Sequence, residues 1–134
     1  MFFSVQEASL AALRNHEVVA FSMPGGESSD PARTRPIDLA HLSRQTSGDR
    51  DLEREVLELF VEQALTVRDK IAGANLKERL YLAHTLKGSA KGVGAFAIAE
   101  CACAIENSPT DRLILKRLAR LIDEVRDFIA AISR

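Results

Sequence analysis

The hydrophobic residues after position 36 recur at steps of three and four, which is the period of amphipathic helices and not the alternation of β-strands. This pattern predicts four long helices, over residues 49 to about 73, 76 to about 91, 95 to 106, and from 109 to near the end of the chain. Helices of this kind, joined by short loops, bury their apolar faces against one another. We therefore predict an all-α fold, an antiparallel four-helix bundle with additional short N-terminal helices.

The predicted core consists of the apolar faces of these four helices. In chain order its members are Leu52, Val56, Leu59, Phe60, Ala64, Val67, Ile71, Leu82, Leu86, Ala90, Val93, Ile98, Ala102, Ile105, Ile114, Leu118, Leu121, Ile122, Val125, Phe128, Ile129 and Ile132. On the first long helix, Leu57, Val61 and Leu65 widen the apolar face on one side. The last helix has the clearest start signal. Ser108 is a favourable N-cap, Pro109 suits the first helical position, and Asp111 completes a capping box.

The chain before the bundle has a different composition. Ser4 and Glu7 have the spacing of a capping box, which predicts a short helix over residues 4 to 15. Residues 22 to 36 contain three of the four prolines and two adjacent glycines, which is typical of a linker or long loop. A short helical turn is predicted over residues 37 to 44. We therefore divide the chain into an N-terminal extension with a Pro/Gly/Ser-rich linker, residues 1–36, and a helical bundle, residues 37–134.

Length, composition and charge narrow the possible functions. The chain has 134 residues, which is the length of one ordinary domain, and 46% of them are hydrophobic. Its 18 basic and 19 acidic residues give a net charge of −1, so no whole-chain field attracts nucleic acid or anionic lipid. The N-terminus lacks the features of a secretory signal, and no apolar run approaches the roughly 18 residues of a membrane span. We expect a cytoplasmic, monomeric protein without nucleic-acid or membrane partners.

Two cysteines and two of the three histidines offer little chemistry. Cys101 and Cys103 are two positions apart on a predicted helix, which directs their side chains about 200° apart. We interpret both as unpaired, small apolar side chains near the core. His16 and His41 lie near predicted loops, where a structural or solvated role is the simplest interpretation. None of these residues has the usual zinc-ligand spacing, and no metal site is predicted.

His84 differs from the other histidines. It is about 160° around its helix from Leu86 on the buried face, so its imidazole is predicted to face solvent. Lys87 and Lys91 follow three and seven residues later, within reach of a phosphoryl group on the ring. Gly88 costs about 1 kcal/mol of helix stability relative to alanine but leaves room for a close approach. On spacing alone, an ordinary polar residue on a solvated, charged helix face is an equally good interpretation.

The sequence around His84 resembles the signature of a known family. Residues 84 to 90 read HTLKGSA and are followed by Gly94 and Ala95, which is similar to the motif of histidine-containing phosphotransfer (Hpt) domains of bacterial two-component phosphorelays. The resemblance covers most of the chain after Pro36, including Gly48-Asp49-Arg50 at the start of the first long helix. It implies a phosphocarrier without independent catalytic turnover. Such a carrier would accept a phosphoryl group on His84 from one receiver-domain aspartate and pass it to another.

The resemblance also implies roles for the residues around His84. His84 would be the phosphoacceptor, Lys87 and Lys91 would stabilise the phosphoryl group, and a receiver would dock on a surface that includes Tyr81, Thr85, Gly88 and Gly92. The Mg²⁺ ion and the aspartate would belong to the receiver, so no cofactor is expected in this chain. Some family members carry a glutamine on the next helix that contacts the histidine. Glu106 aligns near that position, where a carboxylate disfavours phosphate.

Two alternative functions are compatible with the same residues. One is a non-catalytic helical adaptor that binds a receiver or a kinase without transferring a group. The other is a phosphoacceptor module that the ATP-binding domain of a kinase phosphorylates in trans. The glycine-rich run over residues 88 to 94 lacks the residue order of a P-loop, so the chain itself is not predicted to bind ATP. The expected partners are response-regulator receiver domains, a hybrid histidine kinase, or both.

Overall fold

The computed structural model describes residues 35–133, and these residues form five helices and no strand. A short helix, α1 (Leu39–Gln45), precedes four longer ones: α2 (Arg50–Ile71), α3 (Leu76–Val93), α4 (Phe96–Asn107) and α5 (Arg112–Ile132). The all-α prediction is confirmed. The predicted helix over residues 4 to 15 and most of the predicted linker lie outside the described residues.

The four long helices form a closed ring in which each packs against two others. The α2 helix packs on α3, α3 on α4, α4 on α5, and α5 back on α2, while α1 covers part of α3. Because short connections join consecutive helices, neighbours run antiparallel, as predicted. The ring places the pair α3 and α4 opposite the pair α2 and α5. We refer to these as the α3–α4 face and the α2–α5 face.

The core lies inside this ring, where it largely matches the predicted faces, and extends beneath α1 through Ile37 and Leu42. Its largest fully buried side chains are Ile37, Leu42, Leu86, Ile98, Ile105, Leu118 and Ile122. Ile132 was predicted to be buried but is 43% exposed, because it lies in the last turn of α5, beyond the core. Both cysteines are free as predicted, but only Cys101 is buried, and Cys103 faces solvent.

The start of α5 also differs from the prediction. Asp111 is the N-cap, and its carboxylate accepts hydrogen bonds from the backbone N–H groups of Leu113 and Ile114 at 2.9 and 3.4 Å. Residues 108–111 instead form a turn, and the Arg79 guanidinium donates a hydrogen bond to the Pro109 carbonyl at 2.9 Å. The prediction of Ser108 as N-cap and Pro109 as the first helical residue is therefore wrong. The Asp111 carboxylate accepts from two of the amides that the first turn of a helix leaves without partners.

Candidate functional site

His84 lies in the middle of α3, and 70% of its side chain is exposed. The orientation of α3 explains this exposure, because Ala83 and Leu86 on the same turn are completely buried in the core. Asn75 caps the helix, and its side chain accepts a hydrogen bond from the Glu78 N–H at 2.8 Å. The predicted exposure of the imidazole is confirmed.

The connection between α3 and α4 brings a second helix alongside His84. Gly94 ends α3 in the left-handed region with a φ of +87°, a conformation that favours glycine. A Cβ atom on this residue would lie 2.8 Å from the Asp38 carbonyl oxygen, which is closer than atoms can pack. The Asp38 N–H donates a hydrogen bond to the Gly94 carbonyl at 2.9 Å. This tight turn returns α4 directly along α3, so that the end of α4 reaches the level of His84.

Glu106 in the last turn of α4 is the residue that contacts His84. Its Oε2 atom lies 2.8 Å from His84 Nδ1, and its Oε1 atom lies 2.6 Å from Lys87 Nζ. The Glu106 and Lys87 side chains are only 22% and 23% exposed, whereas the imidazole extends into solvent. One carboxylate thus joins the histidine and the nearest lysine in a single hydrogen-bonded cluster.

The charge of Glu106 determines which ring nitrogen of His84 is available. Desolvation is the largest influence on this carboxyl and opposes ionisation, but hydrogen bonds from Lys87 and His84 outweigh it and lower the pKa of Glu106. An ionised carboxylate only accepts hydrogen bonds, so Nδ1 of the neutral imidazole carries the proton. The lone pair then lies on Nε2, on the solvent side of the ring. In reactive and metal-binding histidines, the hydrogen bond that one ring nitrogen donates to a neighbouring residue fixes the tautomer in the same way.

The remaining predicted site residues lie around this cluster with different exposures. Tyr81, one turn before His84, is 67% exposed. The Thr85 hydroxyl donates to the carbonyl oxygens of Tyr81 and Leu82, both at 3.1 Å, so it is turned toward its own helix. Gly88 and Lys91 are partly buried in the C-terminal half of α3. Of the predicted site residues, both His84 and Lys87 contact Glu106.

Gly92 departs from the expectation that it lines an exposed docking surface, because it is buried. It lies two turns after His84, about 80° around the helix from it. At that level α3 approaches the tight connection to α4, where Gly94 and Ala95 are also buried. Gly92 therefore adds nothing to the exposed surface of α3.

Of the two roles expected for His41, structural or solvated, the structure shows the structural one. Its ring meets the ring of Phe96 edge to face, with 5.1 Å between the centroids, and so helps to fix α1 against the start of α4. His16 lies outside the described residues. Between residues 35 and 133, no group of three or more acidic, histidine or cysteine side chains could hold a metal ion. The helices of this part of the chain are also too short or too polar to cross a membrane.

The contact between Glu106 and His84 was only partly expected from the sequence. The alignment with the family placed Glu106 near the histidine, but the expectation was that a carboxylate there disfavours phosphate. That expectation did not include Lys87, whose ammonium group compensates the carboxylate. The signal in the sequence is a glutamate on the helix after the histidine, together with a lysine three residues after the histidine. Their contact depends on the level at which α3 and α4 meet.

Comparisons with known proteins agree with this architecture. Searches of curated proteins and of solved structures gave no match. The family model described as "Hpt domain" matches residues 55–133, which include α3, α4, α5 and most of α2. The matched region is more than half of the chain and contains the whole cluster of His84, Lys87 and Glu106. The chain therefore belongs to the Hpt domain family, the helical bundles of histidine phosphotransfer in phosphorelays.

Proposed function

We propose that the chain is a phosphorelay intermediate whose His84 accepts a phosphoryl group from an aspartate of one receiver domain and passes it to an aspartate of another. The observation that carries this proposal is the 2.8 Å contact of His84 Nδ1 with Glu106 on an otherwise exposed ring. This contact leaves Nε2 as the nucleophile. An uncharged imidazole nitrogen is competent for this chemistry near neutral pH.

In the proposed step, the Nε2 lone pair of His84 attacks the phosphorus of an aspartyl phosphate in line with the bond that breaks. The bond from phosphorus to the aspartate oxygen is cleaved, and its electron pair leaves with the aspartate carboxylate. The proton on Nδ1 stays in place, so the phosphorylated ring carries a positive charge. The negative charge of Glu106 stabilises this positive charge through the hydrogen bond that the carboxylate already accepts from His84. Transfer to the second receiver is the same step in reverse.

Lys87 has two roles in this proposal. Its contact with Glu106 at 2.6 Å offsets the carboxylate charge that would otherwise repel an incoming phosphoryl group. Its ammonium group lies one turn from His84, which is close enough to approach the phosphoryl oxygens once they are attached. Phosphoryl transfer depends mainly on positioning and charge neutralisation, so few groups are needed on this chain. The aspartate and the Mg²⁺ ion would come from the receiver.

The proposal is tested by labelling the full chain with phosphorylated receiver domains and, in parallel, with an ATP-charged kinase domain. We expect acid-labile, alkali-stable label on the wild type and none on His84→Gln, with unchanged helical content by circular dichroism. His16→Gln is the matched control and is expected to label normally. Receiver-dependent label that persists in His84→Gln would refute His84 as the acceptor. Label from the kinase domain alone would favour a phosphoacceptor module that acts in trans.

One observation favours a second candidate function, the non-catalytic adaptor. Glu106 places a negative charge beside His84 and already engages Lys87, and both features oppose a phosphoryl dianion. An adaptor would bind receivers through the same face without becoming labelled. Binding of a receiver with no label from either donor would therefore favour the adaptor over the phosphocarrier.

A further inference from the structure

The α2–α5 face contains a cleft that is lined by none of the residues of the His84 cluster. It lies between the C-terminal end of α2 and the N-terminal half of α5 and has a volume of about 220 Å³. Its apolar lining is formed by Ile71, Ala72, Leu115, Leu118 and Ala119. Pockets for drug-sized ligands have volumes of about 300–1,000 Å³. A cleft of this size is therefore suited to a single apolar side chain of a partner.

Two exposed cations lie at the rim of the cleft, on its α5 side. Arg68 at its edge is already paired with Asp69 and Asp123, but Arg112 and Lys116 are exposed at its rim. Arg120 is exposed one turn after Lys116, and no acidic residue lies between positions 112 and 122. We define the basic stripe as Arg112, Lys116 and Arg120, which lie within an arc of about 80° at 100° per residue.

We propose that the cleft and the basic stripe form a second docking surface, for an acidic protein segment that inserts one apolar side chain between α2 and α5. Carboxylates on the segment would meet the cations of the stripe. The apolar side chain would bury against Ala72, Leu115 and Ala119. Charge gives such a contact its orientation and its rate of association, and apolar burial gives it affinity.

The charges of α2 favour a protein segment over a nucleic acid or an anionic membrane. The outer side of this helix carries four exposed carboxylates within an arc of about 60°: Asp51, Glu55, Glu58 and Glu62. A long polyanion or a charged bilayer that lay along the α2–α5 face would meet this acidic stripe and be repelled. A short acidic segment held at the cleft would not extend that far.

The position of the cleft allows both faces of the bundle to be occupied together. His84 and Glu106 lie on the α3–α4 face, and the ring of helices separates them from α2 and α5. A segment bound at the cleft would raise the effective concentration of the protein that carries it near His84 without covering the imidazole. The surface therefore suits a tether that belongs to a phosphorelay partner. The docking surface itself does not depend on the proposed phosphotransfer.

The test is a titration of the ¹⁵N-labelled full chain with a capped peptide of sequence Glu-Glu-Leu-Glu-Glu, followed by backbone amide shifts. We expect the largest shifts at Ala72, Leu115 and Ala119, and affinity roughly tenfold lower for a peptide with alanine in place of leucine. The double variant Arg112→Gln/Lys116→Gln is expected to bind at least about fivefold more weakly. The matched control Arg50→Gln/Arg54→Gln removes the same charge at the other end of α2 and is expected to bind like the wild type.

Several outcomes would overturn the proposal. These are the absence of shifts, shifts centred on the His84 surface, equal affinity for the leucine and alanine peptides, or equal weakening by both double variants. Tighter binding of phosphatidylglycerol vesicles or of a single-stranded oligonucleotide through Arg112 and Lys116 would reject a protein segment as the occupant. Circular dichroism of each variant separates loss of binding from loss of fold.

Discussion

Replacing Glu106 by alanine removes both hydrogen bonds that its carboxylate accepts, one from His84 and one from Lys87. A hydrogen bond to an ionised partner contributes about 1.5–3 kcal/mol, and solvent around the largely exposed imidazole reduces this to about 1–1.5 kcal/mol. Since about 1.36 kcal/mol corresponds to one factor of ten in rate, we expect phosphorylation of His84 to slow about five- to tenfold. The cause is loss of both the Nδ1–H tautomer and the charge that stabilises the phosphorylated ring.

A second effect of Glu106→Ala acts on the transfer rate in the opposite direction. Whether the rate falls or rises therefore shows which effect is larger. Removing the carboxylate also removes its repulsion of the phosphoryl group and releases the ammonium group of Lys87. We expect this gain to be smaller, because the repulsion acts across the ring and Lys87 already compensates it. Glu106→Gln retains an acceptor without the charge and is therefore expected to transfer at an intermediate rate.

Rapid-quench measurement of phosphoryl transfer from a phosphorylated receiver to His84 tests this prediction under single-turnover conditions. Glu62→Ala, which removes an exposed carboxylate from α2, is the matched control and is expected to leave the rate unchanged. Receiver affinity is measured separately, so that weaker docking is not mistaken for slower transfer. An unchanged or faster rate in Glu106→Ala would refute the role assigned to the carboxylate.

Three further predictions concern stability and are measured by urea denaturation. Gly94→Ala is expected to cost about 2 kcal/mol or more, because the left-handed conformation and the 2.8 Å approach to Asp38 exclude a Cβ atom; equal stability would contradict this account. Asp111→Ala is expected to cost about 1 kcal/mol through loss of the α5 cap, whereas Ser108→Ala, the control, is expected to have little effect. Because the pKa of Glu106 is lowered in the folded protein, its ionised carboxylate stabilises the fold at pH values above the ordinary pKa of glutamate. This stabilisation is lost as the pH falls through the lowered pKa. The difference in stability between wild type and Glu106→Gln is therefore expected to shrink on acidification, and a constant difference would reject the linkage.

The sequence by itself determined the helices and the exposed histidine. Hydrophobic period and capping signals located α2, α3 and α4 to within about two residues, since these signals depend on residues close together in the chain. The same local geometry put His84 on the side of α3 opposite Leu86. The contiguous motif from His84 to Ala90 was sufficient to suggest the family.

Only the tertiary structure decided the partners of these residues. The contact between His84 and Glu106 joins positions 22 residues apart, and it depends on the turn at Gly94 and on the packing of α4 against α3. The burial of Gly92 and the displacement of the α5 N-cap to Asp111 likewise depend on neighbouring helices and on Arg79. Periodicity specifies which side of a helix faces inward, but not the level at which two helices meet. The level at which α3 and α4 meet brings the Glu106 carboxylate to Nδ1 of His84 and leaves Nε2 to solvent.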